Sequence, residues 1–296
     1  ERLMDAITSK YDVDKNAEIT FECNPATADL NYFRGLRSLG INRISMGLQS
    51  ALDSELVLLG RIHTAAEFSA TFDDARRAGF ENISADLMYG IPDQTMDSFR
   101  RSIDFLVSHE PEHISAYALS VEEGTYFYKH RRELSLADDD MQSDMYLECV
   151  SRLAKNGYER YEISNFARDG KYSRHNTRYW KRLDYLGFGV AAHSCFEGER
   201  FGNSRDIDAF LRGEDITEDA AVLTPDDERA EYIMLGLRLA EGIDTAEFFA
   251  RFGEHIEEAP SVKKYIDGGF MRFSDGRLAF LDKGFLVSNA ILADII

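Results

Sequence analysis

Glu22, Gln49 and Asp86 each close an apolar, strand-like run, at residues 19–22, 44–49 and 83–86, and a fourth such run spans residues 113–119. A strand buried on both faces is nearly all apolar, so a Glu, Gln or Asp at its carboxyl end is costly unless it faces a ligand. Arg61, in the segment LLGRIHT at 58–64, adds a cation between the second and third runs. Each residue has a structural alternative. Glu22 and Asp86 can cap a following helix, Gln49 can serve a turn, and Arg61 can be a surface cation. Jointly, polar groups at successive element ends point to one shared site.

A second constellation is KYSRHNTRYWKR, residues 171–182. It carries Lys171, Arg174, Arg178, Lys181 and Arg182 with no acidic residue, interleaved with Tyr172, His175, Tyr179 and Trp180. A flat apolar dianion, such as a porphyrin with its propionates, wants aromatic faces, cations for its carboxylates and an imidazole for its iron. A single-stranded nucleic acid wants many of the same groups. For His175 the structural alternative is a histidine that orders its loop through backbone hydrogen bonds. For Tyr179 and Trp180 it is core packing.

The elements that position these residues read clearly in the first half. Strand and helix signals alternate at short spacing, which implies βαβ units, a parallel sheet and a ligand at the carboxyl ends of its strands. Residues 1–10 read as an amphipathic helix. Thr64 with Glu67 forms a capping box ahead of Phe68, Phe72 and Ala75, and Gly79 supplies the stop. Thr95 caps a helix with Phe99, Ile103 and Leu106 on its buried face, and Pro111 ends that unit. A further helix over 140–156 carries Met141, Met145 and Val150 on its apolar side. Residues 158–205 show no sustained period. From about 215 a second domain follows: a helix opened by Thr224 and Pro225 with Ala230, Ile233, Met234, Leu237 and Ala240, a shorter helix from Thr245, a strand pair at 270–273 and 278–281, and a terminal helix. Helices followed by a hairpin suggest a winged-helix-like domain.

Composition narrows the partners. The 296 residues carry 53 acidic against 34 basic side chains, a net charge of −19, which opposes non-specific binding to nucleic acid or an anionic membrane. Between Glu218 and Glu258 there are 12 acidic residues against Arg229, Arg238 and Arg251, so a DNA-binding role for the winged-helix-like part is disfavoured. No apolar stretch reaches the length of a membrane span, and the cytoplasm is the expected compartment. Cys23, Cys149 and Cys195 are too far apart for a close-spaced motif and read as free thiols. The oligomeric state is not legible, and a homodimer is compatible with the sequence.

Read together, FECNP (21–25), INRISMGLQS (41–50), LLGRIHT (58–64) and ISADLMYGIPDQT (83–95) resemble the radical S-adenosylmethionine (SAM) superfamily, in the branch of oxygen-independent coproporphyrinogen III oxidase. The resemblance implies an α/β fold: a partial (β/α)6 TIM-like barrel over residues 1–205 and a small winged-helix-like domain over 215–296. It implies that SAM lies across the carboxyl face of the barrel. Glu22 would meet its amine or ribose, Gln49 the ribose and amino-acid moiety, Arg61 the carboxylate and Asp86 the ribose hydroxyls. Ala118 and His193 would line the adenine end. Superfamily members hold a [4Fe-4S] cluster on CxxxCxxC, and neither that triad nor the glycine-rich stretch that follows it occurs here. The expectation is that an upstream cluster-binding region is missing from this chain, the alternative being a protein without the cluster.

His175, Asn176, Tyr179 and Trp180 form HNxxYW, followed by GFGVAAHS at 187–194, and this pair resembles the HemW-type haem chaperones. That resemblance implies haem binding at His175, with His175 as the iron ligand, and transfer of haem to an acceptor protein whose identity the sequence does not encode. The rival is oxidative decarboxylation of coproporphyrinogen III in porphyrin biosynthesis, in which a 5'-deoxyadenosyl radical abstracts hydrogen from a propionate side chain.

Overall fold

The four strand-like runs become four parallel neighbours laid down in chain order. The computed structural model describes Glu1–Ile296, and the chain divides into two units, Glu1–Tyr172 and Ser173–Ile296. The first unit runs α1 (Arg2–Lys10), β1 (Thr20–Cys23), α2 (Leu30–Ser38), β2 (Arg43–Gln49), α3 (Asp53–Leu58), α4 (Ala65–Arg77) and β3 (Ile83–Tyr89). It continues with α5 (Met96–Ser108), β4 (His113–Ala118), α6 (Tyr126–His130), α7 (Asp139–Lys155), β5 (Glu159–Arg160) and β6 (Asn165–Ala167). The sheet order is β1-β2-β3-β4-β6-β5. β1 to β4 are parallel, and β6 and β5 add antiparallel edges.

Period-two alternation separates the two faces of this sheet. Ile44, Met46 and Leu48 of β2, Ile83, Ala85 and Leu87 of β3, and Ile114 and Ala116 of β4 join one apolar core with the inward stripes of the helices. Those stripes are Phe33 and Leu36 on α2, Phe68, Phe72 and Ala75 on α4, and Phe99, Ile103 and Leu106 on α5. The opposite face is polar. The register sets Glu22 beside Ser45, Ser45 beside Ser84, and Ser84 beside His113. The strands are therefore not apolar on both faces, as the sequence reading supposed: one face holds the core and the other lines a polar interior. β3 also continues past Asp86 to Tyr89, so Asp86 is a mid-strand residue of that interior face.

The helix boundaries follow local signals. Thr64 and Glu67 make the expected capping box, Thr95 pairs reciprocally with Ser98, and Gly79 takes φ +91° after α4. On α7 the buried stripe is Met145, Cys149 and Leu153, at i, i+4, i+8, joined by Tyr146. Met141 is 38% exposed, because it lies in the first turn, outside the core.

The second unit runs α8 (Arg174–Trp180), β7 (His193–Phe196), β8 (Glu199–Asn203), α9 (Ile207–Arg212), β9 (Thr217–Val222) and α10 (Pro225–Gly236). After it come β10 (Ile243–Asp244), α11 (Thr245–Phe252), a 3-10 turn (Ile256–Glu258), α12 (Pro260–Asp267), β11 (Met271–Ser274), β12 (Arg277–Phe280), α13 (Asp282–Leu286) and α14 (Ser288–Ile295). It contains two antiparallel sheets, β7-β8-β9 and β10-β12-β11. The second of these, with α10, α11 and α12, gives the helices-then-hairpin pattern of a winged helix. Its core is Ile233, Leu237, Ile243, Phe248, Val262, Met271, Leu278 and Phe285, all nearly inaccessible.

The segment 158–205, without a sustained period in sequence, is built of the short elements β5, β6, α8, β7 and β8. The apolar run 230–240 is not one helix either. α10 stops at Gly236, where a Cβ would come within 2.9 Å of the Ile243 side chain. Leu237 and Leu239 then enter the core from the turn, while Met234 is 41% exposed.

Candidate functional site

At the carboxyl end of β2, Gln49 is buried and sits at φ +68°, in the left-handed region that favours glycine. Its Oε1 accepts a 3.0 Å hydrogen bond from the Tyr117 hydroxyl of β4. Two residues earlier, a Cβ on Gly47 would stand 2.5 Å from Gln49 Nε2 and 4.0 Å from Asp86 Oδ2. The missing side chain at Gly47 is thus a cradle that a methyl group would fill, and it keeps the amide and the carboxylate facing the same space.

Asp86 is the electrostatic centre of this end. Burial pushes its carboxyl up to about 6, against the opposing effect of a hydrogen bond from Ser115. The negative charge of Glu22 adds to the rise, and the guanidiniums of Arg43 and Arg61 hold it down. Burial also raises the Tyr117 phenol, and the groups acting on it are Asp86, Gln49, Arg61 and Glu22. Of the residues singled out from sequence, Gln49 therefore bonds, and Asp86, Arg61 and Glu22 act electrostatically on, one tyrosine that the sequence reading passed over. The signal was present in His113-x-Ser115-x-Tyr117, a period-two polar series inside an apolar strand.

Arg61 is placed by its neighbour. His63 is buried, and its Nε2 lies 3.3 Å from the Leu48 carbonyl, which pins the loop after α3 to the end of β2. Burial lowers the His63 pKa, keeping the ring neutral beside Arg61. A buried network fixes the next loop. Ser50 Oγ donates to Glu55 Oε2 at 2.6 Å, Gln94 Nε2 donates to the same oxygen at 3.1 Å, and Ser102 Oγ accepts from Ala51 N at 3.0 Å. Gln94, in the GIPDQT segment, thereby ties the β3–α5 loop to the start of α3. Ala118 ends β4 opposite Tyr89 and is half-buried.

Deeper in the sheet, His113 bridges Ser84 Oγ and the Tyr161 hydroxyl, both at 2.8 Å, and burial holds its pKa well below the usual value. An open cleft of about 640 Å³ lined by Arg76, His109, Glu112 and Arg168 lies at the opposite, amino-terminal end of the strands.

In the second unit, His175 is exposed on α8 and its Nε2 is 2.7 Å from the Tyr179 hydroxyl. The Tyr179 ring meets His175 edge-on at 4.9 Å and Tyr185 edge-on at 4.5 Å. Trp180 packs under the Arg238 guanidinium, 4.3 Å from the ring centroid. The cations around them are largely committed. Arg182 is nearly buried between Glu228 and Glu231 at 3.1 Å each, Lys181 pairs with Glu241 at 3.2 Å, and Arg178 donates to the Asp184 carbonyl at 2.7 Å. The basic stretch is thus no open anion-binding patch. Lys181 and Arg182 anchor α8 to acidic residues of the same unit. His193, the remaining residue predicted to line the SAM site, opens β7, is exposed, and lies over Gly202, where a Cβ would approach its Nδ1 to 3.0 Å.

Comparison with known proteins agrees with this architecture. The family model of the radical SAM superfamily matches residues 1–106, and that of the HemN C-terminal domain matches residues 223–287. "Heme chaperone HemW" of Bacillus subtilis is 33% identical over 300 residues, covering 98% of this chain and 79% of the relative. The chain belongs to the HemW family. The HemW protein of Lactococcus lactis is 31% identical over 297 residues, covering 98% of this chain and 78% of its own length. Mouse radical S-adenosyl methionine domain-containing protein 1, mitochondrial, is 36% identical over 196 residues, 66% of this chain and 44% of that protein. In fold, this HemW-family chain is similar to coproporphyrinogen III oxidase (HemN) from Escherichia coli, with a TM-score of 0.83 at 21% identity, covering 99% of this chain and 73% of that one.

Membership in the superfamily implies SAM and a [4Fe-4S] cluster. The donor set around Tyr117, with carboxylates, an amide, a guanidinium and the Gly47 cradle, fits a zwitterion bearing hydroxyls. The cluster is different, because this chain has no residues that fit it. No group of three or more His, Cys, Asp or Glu side chains is placed to hold a metal ion, and burial pushes the thiols of Cys23 and Cys149 up to about 11 and about 12, away from the thiolate form a cluster needs. No helix is long and apolar enough to cross a membrane.

Proposed function

We infer that this chain works as a haem chaperone of the radical SAM class, binding haem at α8 through His175 and passing it to an acceptor protein. The observation that carries the reading is the exposed imidazole of the HNxxYW helix, held against Tyr179 in a chain that belongs to the HemW family. SAM is assigned to Glu22, Gln49, Arg61 and Asp86 at the barrel end, with Ala118 at its adenine side; once bound it supplies a sulfonium that a reducing cluster can cleave. The role of these residues is to bind and orient it: Asp86 and Glu22 accept hydrogen bonds, Arg61 neutralises its carboxylate, and Tyr117 holds the Gln49 amide in place. The winged-helix-like domain is proposed to begin at about residue 215, a reading supported by the HemN C-terminal model starting at residue 223, whereas the compact units divide between Tyr172 and Ser173. The proposed setting is the cytoplasm.

The likeness to HemN is one of fold, so coproporphyrinogen decarboxylation stays the rival function. A haemin titration followed at the Soret band separates the two. Stoichiometric binding that His175→Ala weakens at least about tenfold supports the chaperone, a loss near 1.4 kcal/mol. Absence of haemin binding by the chain, together with conversion of coproporphyrinogen III by a form joined to a cluster-bearing upstream region, selects the decarboxylase.

A further inference from the structure

We propose that the polar interior face of the first unit's sheet holds a second small-molecule site, in which the guanidinium of Arg43 takes the carboxylate of an organic acid. The site goes beyond the haem and SAM readings and stands independently of both.

Arg43 opens β2 and is only 5% exposed. Its side chain makes one long hydrogen bond, from Nη1 to Thr20 Oγ1 at 3.5 Å, and its Nε is buried with no partner. No ion pair offsets its charge. A cation held out of water without a counter-charge is strongly unfavourable, and a buried donor left over in a folded chain calls for a partner from outside. Strand alternation sets Arg43 on the same face as Ser45 and Gly47, away from the core residues Ile44 and Met46. Its charge acts on Asp86 and His113, which lie on that same interior face.

The face has open space. β2 runs between β1 and β3 with its other side in the core, so Ser45 and Gly47, both half-buried, are reached from the interior side alone. Thr20 is the register partner of Arg43, and it brings a second hydroxyl beside that of Ser45. Charge then selects the ligand. The planar fork of a guanidinium matches the two oxygens of a carboxylate. Glu22 stands beside Ser45 in register and Asp86 lies one row further on, so a dianion such as sulfate meets more repulsion than a single carboxylate does. Four residues of strand, about 13 Å, separate Arg43 from Gly47 at the SAM end.

The test uses the full chain without SAM or haemin, sodium acetate as the probe, and sulfate at equal ionic strength as the dianion control. Acetate is expected to raise the Tm saturably and to move the Arg43 Nε–H signal in a proton–nitrogen correlation spectrum, assigned through its proximity to Thr20. Arg43→Lys keeps the charge without the fork and is expected to bind acetate at least about tenfold more weakly, and Arg43→Met to lose the response. Arg61→Gln, at the SAM end, is expected to keep it. A response equal in the parent and Arg43→Met, or one lost in Arg61→Gln and kept in Arg43→Met, overturns the proposal. A sulfate response matching that of acetate overturns the choice of a carboxylate. An Arg43 signal that acetate leaves in place overturns the site in the parent chain itself, whether or not any variant folds, and leaves the haem reading untouched.

Discussion

Asp86 combines a raised pKa with a place among ligand-competent groups. Its carboxyl is held near 6 by burial, above its ordinary value of 3.8, so the folded chain binds that proton more tightly than the unfolded chain. The resulting stabilisation is complete below about pH 4 and is lost as pH rises through about 6. Asp86→Asn, which stays neutral, should therefore gain stability relative to the parent between about pH 4 and pH 7, by about 2 kcal/mol. Urea unfolding at each pH reads the difference, and a flat difference across the window would show that Asp86 is not a desolvated carboxylate. Gly47 was invisible to sequence reading because a missing Cβ becomes informative only when its neighbours are known. Gly47→Ala is expected to cost about 1–3 kcal/mol by pushing Gln49 off Tyr117. Gly35→Ala, on α2 with open space around it, should instead stabilise by about 0.5–1 kcal/mol. Chemical denaturation of both variants checks the contrast, and equal costs would remove the cradle argument.

At the scale of elements, the capping box at Thr64 and the cap at Thr95 were legible because their partners lie within three residues. The stripes of α4 and α5 were legible for the same local reason. What the pattern missed was α8, β5 and β6, each too short to display a period, and α12, whose Pro260 start carries no side-chain cap. The loops bearing the site depend on a network between elements. Glu55, buried at the start of α3, is satisfied by Ser50 and by Gln94 from the far side of β3. Gln94→Leu leaves that carboxylate and the Ile91 amide each short of a partner and should destabilise by about 2–4 kcal/mol. The free energy of unfolding measures it; a loss under about 0.5 kcal/mol would mean that the network adds little.

At the scale of the whole molecule, the charge imbalance sets behaviour in solution. With 53 acidic and 34 basic residues, like-charge repulsion opposes folding, and screening relieves it. Raising NaCl from about 0.05 M to about 0.5 M should raise the Tm, since the Debye length shrinks to a few ångströms. A falling Tm in a salt-dependent scan would mean that ion pairs such as Arg182 with Glu228 and Glu231 outweigh the repulsion.

The βα alternation, the capped helices, the polar residues near the ends of β1 to β3 and the HNxxYW motif were determined by the sequence alone, because each is written in neighbours a few residues apart. Tertiary structure alone decided that Gln49 bonds Tyr117 and that the charges of Glu22, Arg61 and Asp86 act on it, because the fold brings groups 31 to 95 positions away from Tyr117 to one end of the sheet. It also decided that Lys181 and Arg182 are anchors rather than open cations, since Glu231 lies 49 residues beyond Arg182 and only the folded chain brings the charges together. Local codes depend on short-range sterics and hydrogen bonds. The site depends on which distant side chains share one face, and only packing sets that.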